Sequence, residues 1–473
     1  MADTMIDADA QAAKSSLATL LELAALPASA AYSVEIAGSD PVFPTRYKPV
    51  APGAAAIAAS GLAAAELWAL KTGRRQQVRV NARAAAAALR SSKYLKINGE
   101  KPAEDPEKIT GFYPLRDGRW TYLHCNFFNL RDRNLKVLGA PAKRDAVTKA
   151  VAAWDGLELE DAIMQAGGAC SFVRSEEEWR ALPQMHAVER LPLLEIVKIG
   201  DAPAQPLPAG DRPLAGVRVL DLTRVLAGPT CARTLAEHGA DVLRVTRMDL
   251  ADMGPTDFDT GIGKLNTHID LRVPREAATM RSLVRECDVF SQSYRPGALA
   301  RRGLSPEALA ELRPGIVYVT LSAWGHEGPW RERRGYDTIV QSANGMAYQG
   351  NNERPAFLPY SAQDYVAGYL LAFGAMVALG RRAREGGSWF VRASLAGAGH
   401  WIRRHGLLDP SEYAHLPAEL PAAELQSLLM EHASPVGRIT HLAPVVQMSE
   451  TPARWSRPSV PRGFHQPVWP GRE

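Results

Sequence analysis

Apolar residues recur at helical or strand spacing and divide the chain into regions of different character. Leucines within residues 12–26 follow a helical period, which predicts an amphipathic helix. An alanine-rich run at 54–70, an alternating strand at 76–81 and a second alanine-rich helix from 82 follow. These patterns predict a mainly helical N-terminal region over residues 1–100.

Residues 101–200 change to short aromatic-rich strands followed by short helices. An aspartate-glycine turn at 117–118 separates two of these strands, which is a hairpin signal. We therefore expect a small α+β domain here. Four prolines lie within the segment that follows, and they indicate a linker over residues 201–213.

Residues 214–402 alternate between strands and helices. A buried strand at 217–222 precedes a helix at 227–239 and a second strand at 240–245, and further strand-length apolar runs follow. Such alternation predicts right-handed crossovers and a doubly wound parallel sheet of the α/β class, whose ligands bind at the carboxyl ends of the strands. Residues 403–473 are expected to form a C-terminal connection and a tail.

The two ends of the chain share an internal similarity. The segment starting at 385 aligns without gaps on the segment starting at 72, an offset of 385 − 72 = 313. Each contains a helix, a basic or glycine turn, a strand and an alanine-rich helix, which predicts a degenerate partial repeat of the large domain. The same offset carries Asp364 onto Ala51, so that only one copy holds the carboxylate.

Composition and charge exclude several classes of protein. The formal charge is +4, and 55 basic and 51 acidic residues are spread along the chain, which implies no nucleic-acid partner. Four scattered cysteines form no CxxC pair, so we expect reduced core thiols and no metal site. The N-terminus is acidic and no apolar run approaches the roughly 18–20 residues of a membrane span. A cytoplasmic protein without a membrane partner is expected.

The richest chemistry lies in residues 322–368, a stretch dense in glycine, aromatic and polar residues between two apolar elements. Within it, Asp364 begins a strongly apolar helix. Its carboxylate can cap that helix, a role worth roughly 0.5–2 kcal/mol. Alternatively, a carboxylate kept ionised by the helix N-terminus can attack a thioester carbonyl. The spacing is compatible with both interpretations.

Three segments carry a family resemblance. They are LDLTRVLAGP at 220–229, the RPG turn at 295–297 and the GYDxxxQ pattern at 335–341, in order within about 210–402. Together they resemble family III CoA-transferases, the group that contains formyl-CoA and carnitine CoA-transferases. The resemblance implies a Rossmann-like large domain, a smaller α+β domain and a homodimer.

The resemblance also implies a mechanism centred on Asp364. In that family the aspartate attacks an acyl-CoA to give a mixed anhydride, and the released thiolate then forms an aspartyl-CoA thioester. A carboxylic acid acceptor collects the CoA in the reverse steps. The small-molecule partners are therefore an acyl-CoA and a carboxylic acid, with the coenzyme A thioester as substrate and no permanently bound cofactor.

Further site residues follow from the same resemblance. Tyr336, Asp337 and Gln341 are expected to contact the acyl substrate. The expected coenzyme A contacts are Val225, Ala227, Arg247, Ser293, Tyr294 and Arg301. The two arginines suit phosphate groups, although exposed surface arginines have the same appearance in a sequence.

Two features bear on the branch of the family. Related racemases carry a histidine where Tyr336 stands, and a phenol that titrates near 10 is a poor base at neutral pH, which favours transfer. However, the small domain precedes the large one, the family's glycine-rich loop is not evident, and Leu265 replaces a common basic residue after Lys264. A catalytically degenerate CoA-binding or partner subunit, and a racemase or lyase, therefore stay open as alternatives.

Overall fold

The computed structural model describes residues 2–103, 108–250, 254–350 and 353–471. The strands in these ranges are β1 Val34–Ala37, β2 Val78–Asn81, β3 Lys96–Ile97, β4 Gly111–Pro114, β5 Trp120–Leu123, β6 Cys170–Phe172, β7 Leu194–Gly200, β8 Arg218–Leu222, β9 Asp241–Thr246, β10 Lys264–His268, β11 Val289–Gln292, β12 Val317–Ser322, β13 Ser388–Ser394, β14 Leu429–Ser434, β15 Gly437–Leu442 and β16 Val446–Met448. The α-helices are α1 Ala2–Leu23, α2 Val50–Thr72, α3 Ala82–Ala88, α4 Phe128–Leu138, α5 Arg144–Val151, α6 Gly156–Gln165, α7 Glu176–Arg180, α8 Pro183–Arg190, α9 Ala227–Glu237, α10 Pro255–Thr260, α11 Pro274–Glu286, α12 Pro306–Leu312, α13 Asp337–Ala343, α14 Ala362–Glu385, α15 Leu395–Arg404, α16 Pro410–Tyr413 and α17 Ala422–Ser427.

A seven-stranded sheet organises the large domain, in the order β10-β9-β8-β11-β12-β13-β7. The first six strands pair in parallel, and β7 joins the edge antiparallel to β13. The predicted α/β class with a mostly parallel sheet is confirmed. The large sheet includes β7 from the region expected to be the small domain, because the backbone of β7 pairs with β13 almost two hundred residues later.

Helix α14 forms the centre of the large domain. It packs against α2 and α9, and all but a few residues of its C-terminal turns are buried. Both α2 and α14 are long and apolar enough for a membrane span by length and composition, with mean hydropathies of 1.5 and 1.3. The expectation that no apolar segment reaches that length is therefore wrong. In each helix most of the apolar window, 83% and 100%, is buried against protein.

The small domain contains the predicted hairpin. Strands β4 and β5 pair antiparallel on either side of the turn at 117–118, and β6 extends the sheet. Helices α4, α5 and α6 cover it around a separate apolar core that includes Cys125 and Cys170. All four cysteines are buried and free of disulfide bonds, as expected.

The N-terminal region and the C-terminal segment fold together. Strand β16 pairs with β2, and β15 pairs with β3, so the expected tail completes two small sheets. Shifting α14 by 313 residues places it at 49–72, where α2 spans 50–72, and the same shift places the start of α15 at 82, where α3 begins. A common origin for the two copies stays a prediction.

Candidate active site

Two aspartates meet where helices α13 and α14 begin. Asp337 is the first residue of α13, and its Oδ2 accepts the backbone N–H of Asp364 at 3.0 Å. Gln341 donates from Nε2 to the other oxygen of Asp337. Asp337 thus accepts a backbone N–H in the first turn of α14 that has no partner within the helix. This capping role is the one that the sequence left open for Asp364. Among the described residues, no donor reaches the carboxylate of Asp364 itself.

The two carboxylates differ in how easily they ionise. Each residue is only 4% exposed. Burial raises the pKa of Asp337 to about 6, although hydrogen bonds from the backbone N–H of Asp364 and from Gln341 oppose the effect. Burial, and then the neighbouring charge of Asp337, raise the pKa of Asp364 well above its usual range. Hydrogen bonds therefore oppose the rise in pKa at Asp337, whereas none opposes it at Asp364.

The helix N-terminus does not lower the pKa of Asp364 as expected, because burial and the charge of Asp337 raise it. A helix N-terminus stabilises an anion through its free N–H groups. Here the amide of Asp364 is already occupied by Asp337, so Asp364 receives burial and a like charge instead of hydrogen bonds.

The side chain of Gln341 is held by hydrogen bonds to the protein backbone. Its Nε2 also donates to the carbonyl of Tyr360 at 3.3 Å, and its Oε1 accepts the N–H of Leu358 at 3.0 Å. The side chain thus ties the segment before α14 to Asp337. A direct contact between Gln341 and substrate stays a prediction.

Tyr336 lies at the junction of the two domains. Its ring stacks on His124 of the small domain, with centroids 4.0 Å apart and planes inclined by 9°, and lies 5.6 Å from Phe127. Burial lowers the pKa of His124 to about 3, so this imidazole is neutral. Neither small-domain residue was among the predicted site residues. The only sequence signal for them is the aromatic run at 120–128, which also fits an ordinary hairpin.

The predicted residues Val225 and Ala227 pack near Tyr336 and helix α14. Val225 contacts the apolar cluster around Phe127 and Tyr336, and its φ of 72° is unusual for a β-branched residue. Ala227 begins α9. A Cβ on Gly368 of α14 would lie 2.5 Å from the carbonyl oxygen of Ala227, so glycine permits the close approach of the two helices.

The other predicted coenzyme A contacts lie along a neighbouring edge. Ser293 accepts the backbone N–H of Arg224 at 3.2 Å. Tyr294 and Arg247 line the same cavity, of about 170 Å³, at the carboxyl ends of β8 and β9. Arg301 is exposed and does not line this cavity, whereas its neighbour Arg302 does. The structure therefore groups Arg247 with Tyr294, and Val225 with Ala227, and leaves Arg301 apart.

Comparison with known proteins relates part of the chain to one family. Residues 214–410 match the sequence model of CoA-transferase family III. This segment is therefore similar to the family III CoA-transferases. It contains Asp337, Asp364 and all the predicted coenzyme A contacts.

Individual relatives match parts of the chain. Acetyl-coenzyme A transferase nodX of Hypoxylon pulicicidum is 30% identical over 344 residues, which are 65% of this chain and 56% of that protein. Succinyl-CoA:glutarate CoA-transferase of Mus musculus is 34% identical over 198 residues, 39% of this chain and 45% of that protein. The chain thus spans about half the length of these curated relatives. The crystal structure of Rv3272 from M. tuberculosis is 28% identical, with 41% of this chain and 57% of that chain covered and a TM-score of 0.39.

Proposed function

We propose that this chain moves coenzyme A from an acyl-CoA donor to a carboxylic acid acceptor through a covalent intermediate on Asp364. One observation carries the proposal. In the segment similar to the family III CoA-transferases, Asp364 is a buried carboxylate that no described donor satisfies, while Asp337 takes over the helix-capping role. The side chain of Asp364 is only 4% exposed and makes no capping hydrogen bond, which favours a functional role over a capping one.

The reaction proceeds in four balanced steps. An oxygen of ionised Asp364 attacks the thioester carbonyl carbon, a C–O bond forms, and the C–S bond breaks to release the CoA thiolate. The thiolate attacks the aspartyl carbonyl of the anhydride and displaces the donor as a carboxylate. The acceptor carboxylate then attacks the aspartyl thioester and releases the thiolate again. Finally, the thiolate attacks the acceptor carbonyl, which forms the new acyl-CoA and restores the Asp364 carboxylate.

The charge state of Asp364 limits the first step. Only the ionised form is nucleophilic, and its pKa is raised by burial and by Asp337. Transfer is therefore expected to increase as the pH rises through that pKa. Tyr336 is a poor base at neutral pH, because burial raises the pKa of its phenol further, although nearby arginines oppose the effect.

The environment of His124 weighs against racemase or lyase chemistry, which needs a base to take a proton from the α-carbon. His124 is the histidine that stacks on Tyr336, and its pKa of about 3 makes it a weak base. The names of the relatives, which include an acetyl-CoA transferase and a succinyl-CoA:glutarate CoA-transferase, support CoA transfer to carboxylic acids. The cytoplasmic location and the homodimer belong to the same proposal.

Trapping of the intermediate tests the proposal. The protein is mixed with an acyl-CoA panel and hydroxylamine, digested and analysed by mass spectrometry, and a hydroxamate is expected at Asp364. Asp364→Asn should abolish both the hydroxamate and CoA exchange. Asp161→Asn, on the exposed face of α6, is the matched control and should retain both. Undiminished exchange in Asp364→Asn would contradict the proposal, and a chain that binds CoA without forming hydroxamate would be the degenerate subunit.

A further inference from the structure

A cavity of about 230 Å³ opens at the carboxyl ends of β11, β12 and β13. Its walls include Tyr318 and Phe390, which pack in a separate apolar cluster from the one that contains α14. Asp337 and Asp364 do not line it. The cavity is therefore a space apart from the two aspartates of the candidate active site.

One ion pair supplies the charged part of the cavity wall. Glu195 of β7 and Arg392 of β13 lie opposite each other in the antiparallel register. Arg392 donates from Nη2 to Oε2 of Glu195 at 2.7 Å, and both side chains line the cavity. The two side chains are 15% and 28% exposed, so that a ligand can reach them. We call this space the ion-pair cavity.

Each member of the pair keeps an unused hydrogen-bonding atom. Nδ1 of His326 lies 3.7 Å from Oε1 of Glu195, which is longer than a hydrogen bond. Within the described ranges, nothing else donates to that oxygen, and Nη1 of Arg392 has no acceptor. The pair thus offers one acceptor and one donor side by side.

Other polar groups around the cavity are engaged locally. Gln292 donates from Nε2 to Oγ1 of Thr320 at 2.5 Å, and its Oε1 accepts the N–H of Tyr294 at 2.7 Å. Ser394 accepts the N–H of Gly397 at 3.0 Å and so caps α15. These groups contribute shape, and the ion pair offers the hydrogen bonds.

The charges favour an uncharged ligand. Burial, and then the charge of Arg392, lower the pKa of His326, although nearby glutamates oppose the effect, so this imidazole is neutral at pH 7.5. Arg295 also lines the cavity but is exposed to solvent, which screens its charge. A ligand carboxylate would meet the charge of Glu195, and a ligand ammonium would meet that of Arg392.

The remaining walls suit a ring. Tyr318 and Phe390 lie with their ring centroids 5.8 Å apart, and Pro296 and Pro306 also line the cavity. An apolar protein cavity of about 150 Å³ holds benzene. A cavity of about 230 Å³ therefore accommodates an aromatic ring and one small polar group beside it.

We propose that the ion-pair cavity is a second ligand site, which binds an uncharged aromatic carboxamide. The amide carbonyl accepts from Nη1 of Arg392, the amide N–H donates to Oε1 of Glu195, and the ring packs against Phe390 and Tyr318. A carboxamide is the simplest uncharged group that places an acceptor and a donor side by side. The inference is independent of the proposed transfer on Asp364.

Ligand-observed NMR titrations of the full chain test the inference with three probes. Benzamide carries the proposed group. Acetophenone keeps the ring and the carbonyl but lacks the N–H, and it should bind about 3- to 10-fold more weakly. Benzoate should bind at least about tenfold more weakly than benzamide, because its charge faces Glu195.

Variants of the ion pair should change the order of the probes. Glu195→Met removes the acceptor and the negative charge, so benzoate should now bind more tightly than benzamide. Arg392→Met should weaken benzamide and acetophenone alike, by about tenfold. Lys198→Met, on the same strand as Glu195 but outside the cavity wall, is the matched control and should keep the original order.

Thermal unfolding without probe shows whether each variant is folded, and a crystal of the unmodified protein soaked with benzamide provides a test that needs no variant. Density for the amide is expected between Glu195 and Arg392. An empty cavity would overturn the proposal, as would equal affinity for the three probes or an unchanged order in folded Glu195→Met. Tyr294 and Leu299 also line the cavity that contains Arg247. Displacement of benzamide by coenzyme A would therefore assign the probe to that neighbouring cavity and refute a second site.

Discussion

Replacement of Asp337 by asparagine should change how the stability of the protein depends on pH. Burial raises the pKa of Asp337 from 3.8 to about 6. This difference of about two pH units corresponds to about 3 kcal/mol, at 1.36 kcal/mol for each unit. Below pH 4 both the folded and the unfolded states hold the proton. Between about pH 4 and 6 the unfolded state loses its proton first, so the free energy of unfolding falls as the pH rises.

The Asp337→Asn variant lacks this titration. At pH 4, where Asp337 is protonated, the free energies of unfolding of the variant and the unmodified protein should differ by no more than about 1 kcal/mol. Between pH 4 and 7 the difference should move by about 3 kcal/mol in favour of the variant. Loss of the Asp337 charge also removes one cause of the raised pKa of Asp364, so the acid limb of the transfer rate should move to lower pH.

Urea titrations at five pH values from 4 to 8, followed by tryptophan fluorescence, measure the difference between the two proteins. Asp132→Asn, which removes an exposed carboxylate from α4, is the matched control and should give the same difference at every pH. A difference between Asp337→Asn and the unmodified protein that stays constant from pH 4 to 8 would refute the account of the buried pair.

Three further predictions concern packing and charge. Gly368→Ala should lower the free energy of unfolding by about 1–3 kcal/mol, because its Cβ would lie 2.5 Å from the first turn of α9. Gly380→Ala on the same helix has room for the Cβ, and it should be neutral or stabilising by up to about 1 kcal/mol. Thermal unfolding of the two variants compares them. Lys264→Met should cost about 3–5 kcal/mol in chemical unfolding, since it leaves the buried Asp221 without its ion pair. Tyr336→Phe keeps the stack on His124 and should leave the transfer rate unchanged in steady-state assays, whereas a hydroxyl acting as acid or base would make it fall about 10²–10⁴-fold.

The sequence predicted the elements whose signals are local. The parallel strands of the large domain follow from alternating apolar runs and helices, and the hairpin of the small domain follows from its turn at 117–118. Strand β7 and the C-terminal strands were not assigned to their sheets, because their partners lie far along the chain. An apolar run predicts a strand, but it does not indicate which strand of a sheet it will pair with.

The stack on Tyr336 shows a similar limit. Its members come from both domains, so no period or spacing in the chain relates them. The sequence did indicate Tyr336 through the GYD pattern, yet its neighbours His124 and Phe127 appeared as ordinary hairpin aromatics. Only the packing of the small domain against the large one makes them part of the site.

The two aspartates illustrate the limit within the site itself. Asp337 and Asp364 each stand in the first turn of an apolar helix, and in sequence either one fits a cap or a nucleophile. Their packing distinguishes the two residues, because Asp337 accepts the amide of Asp364 while no described donor reaches the Asp364 carboxylate in return. The same contact that frees Asp364 from a capping role also places a like charge beside it. In the proposed mechanism, this single geometric feature therefore leaves Asp364 available for attack and raises the pH at which it becomes ionised.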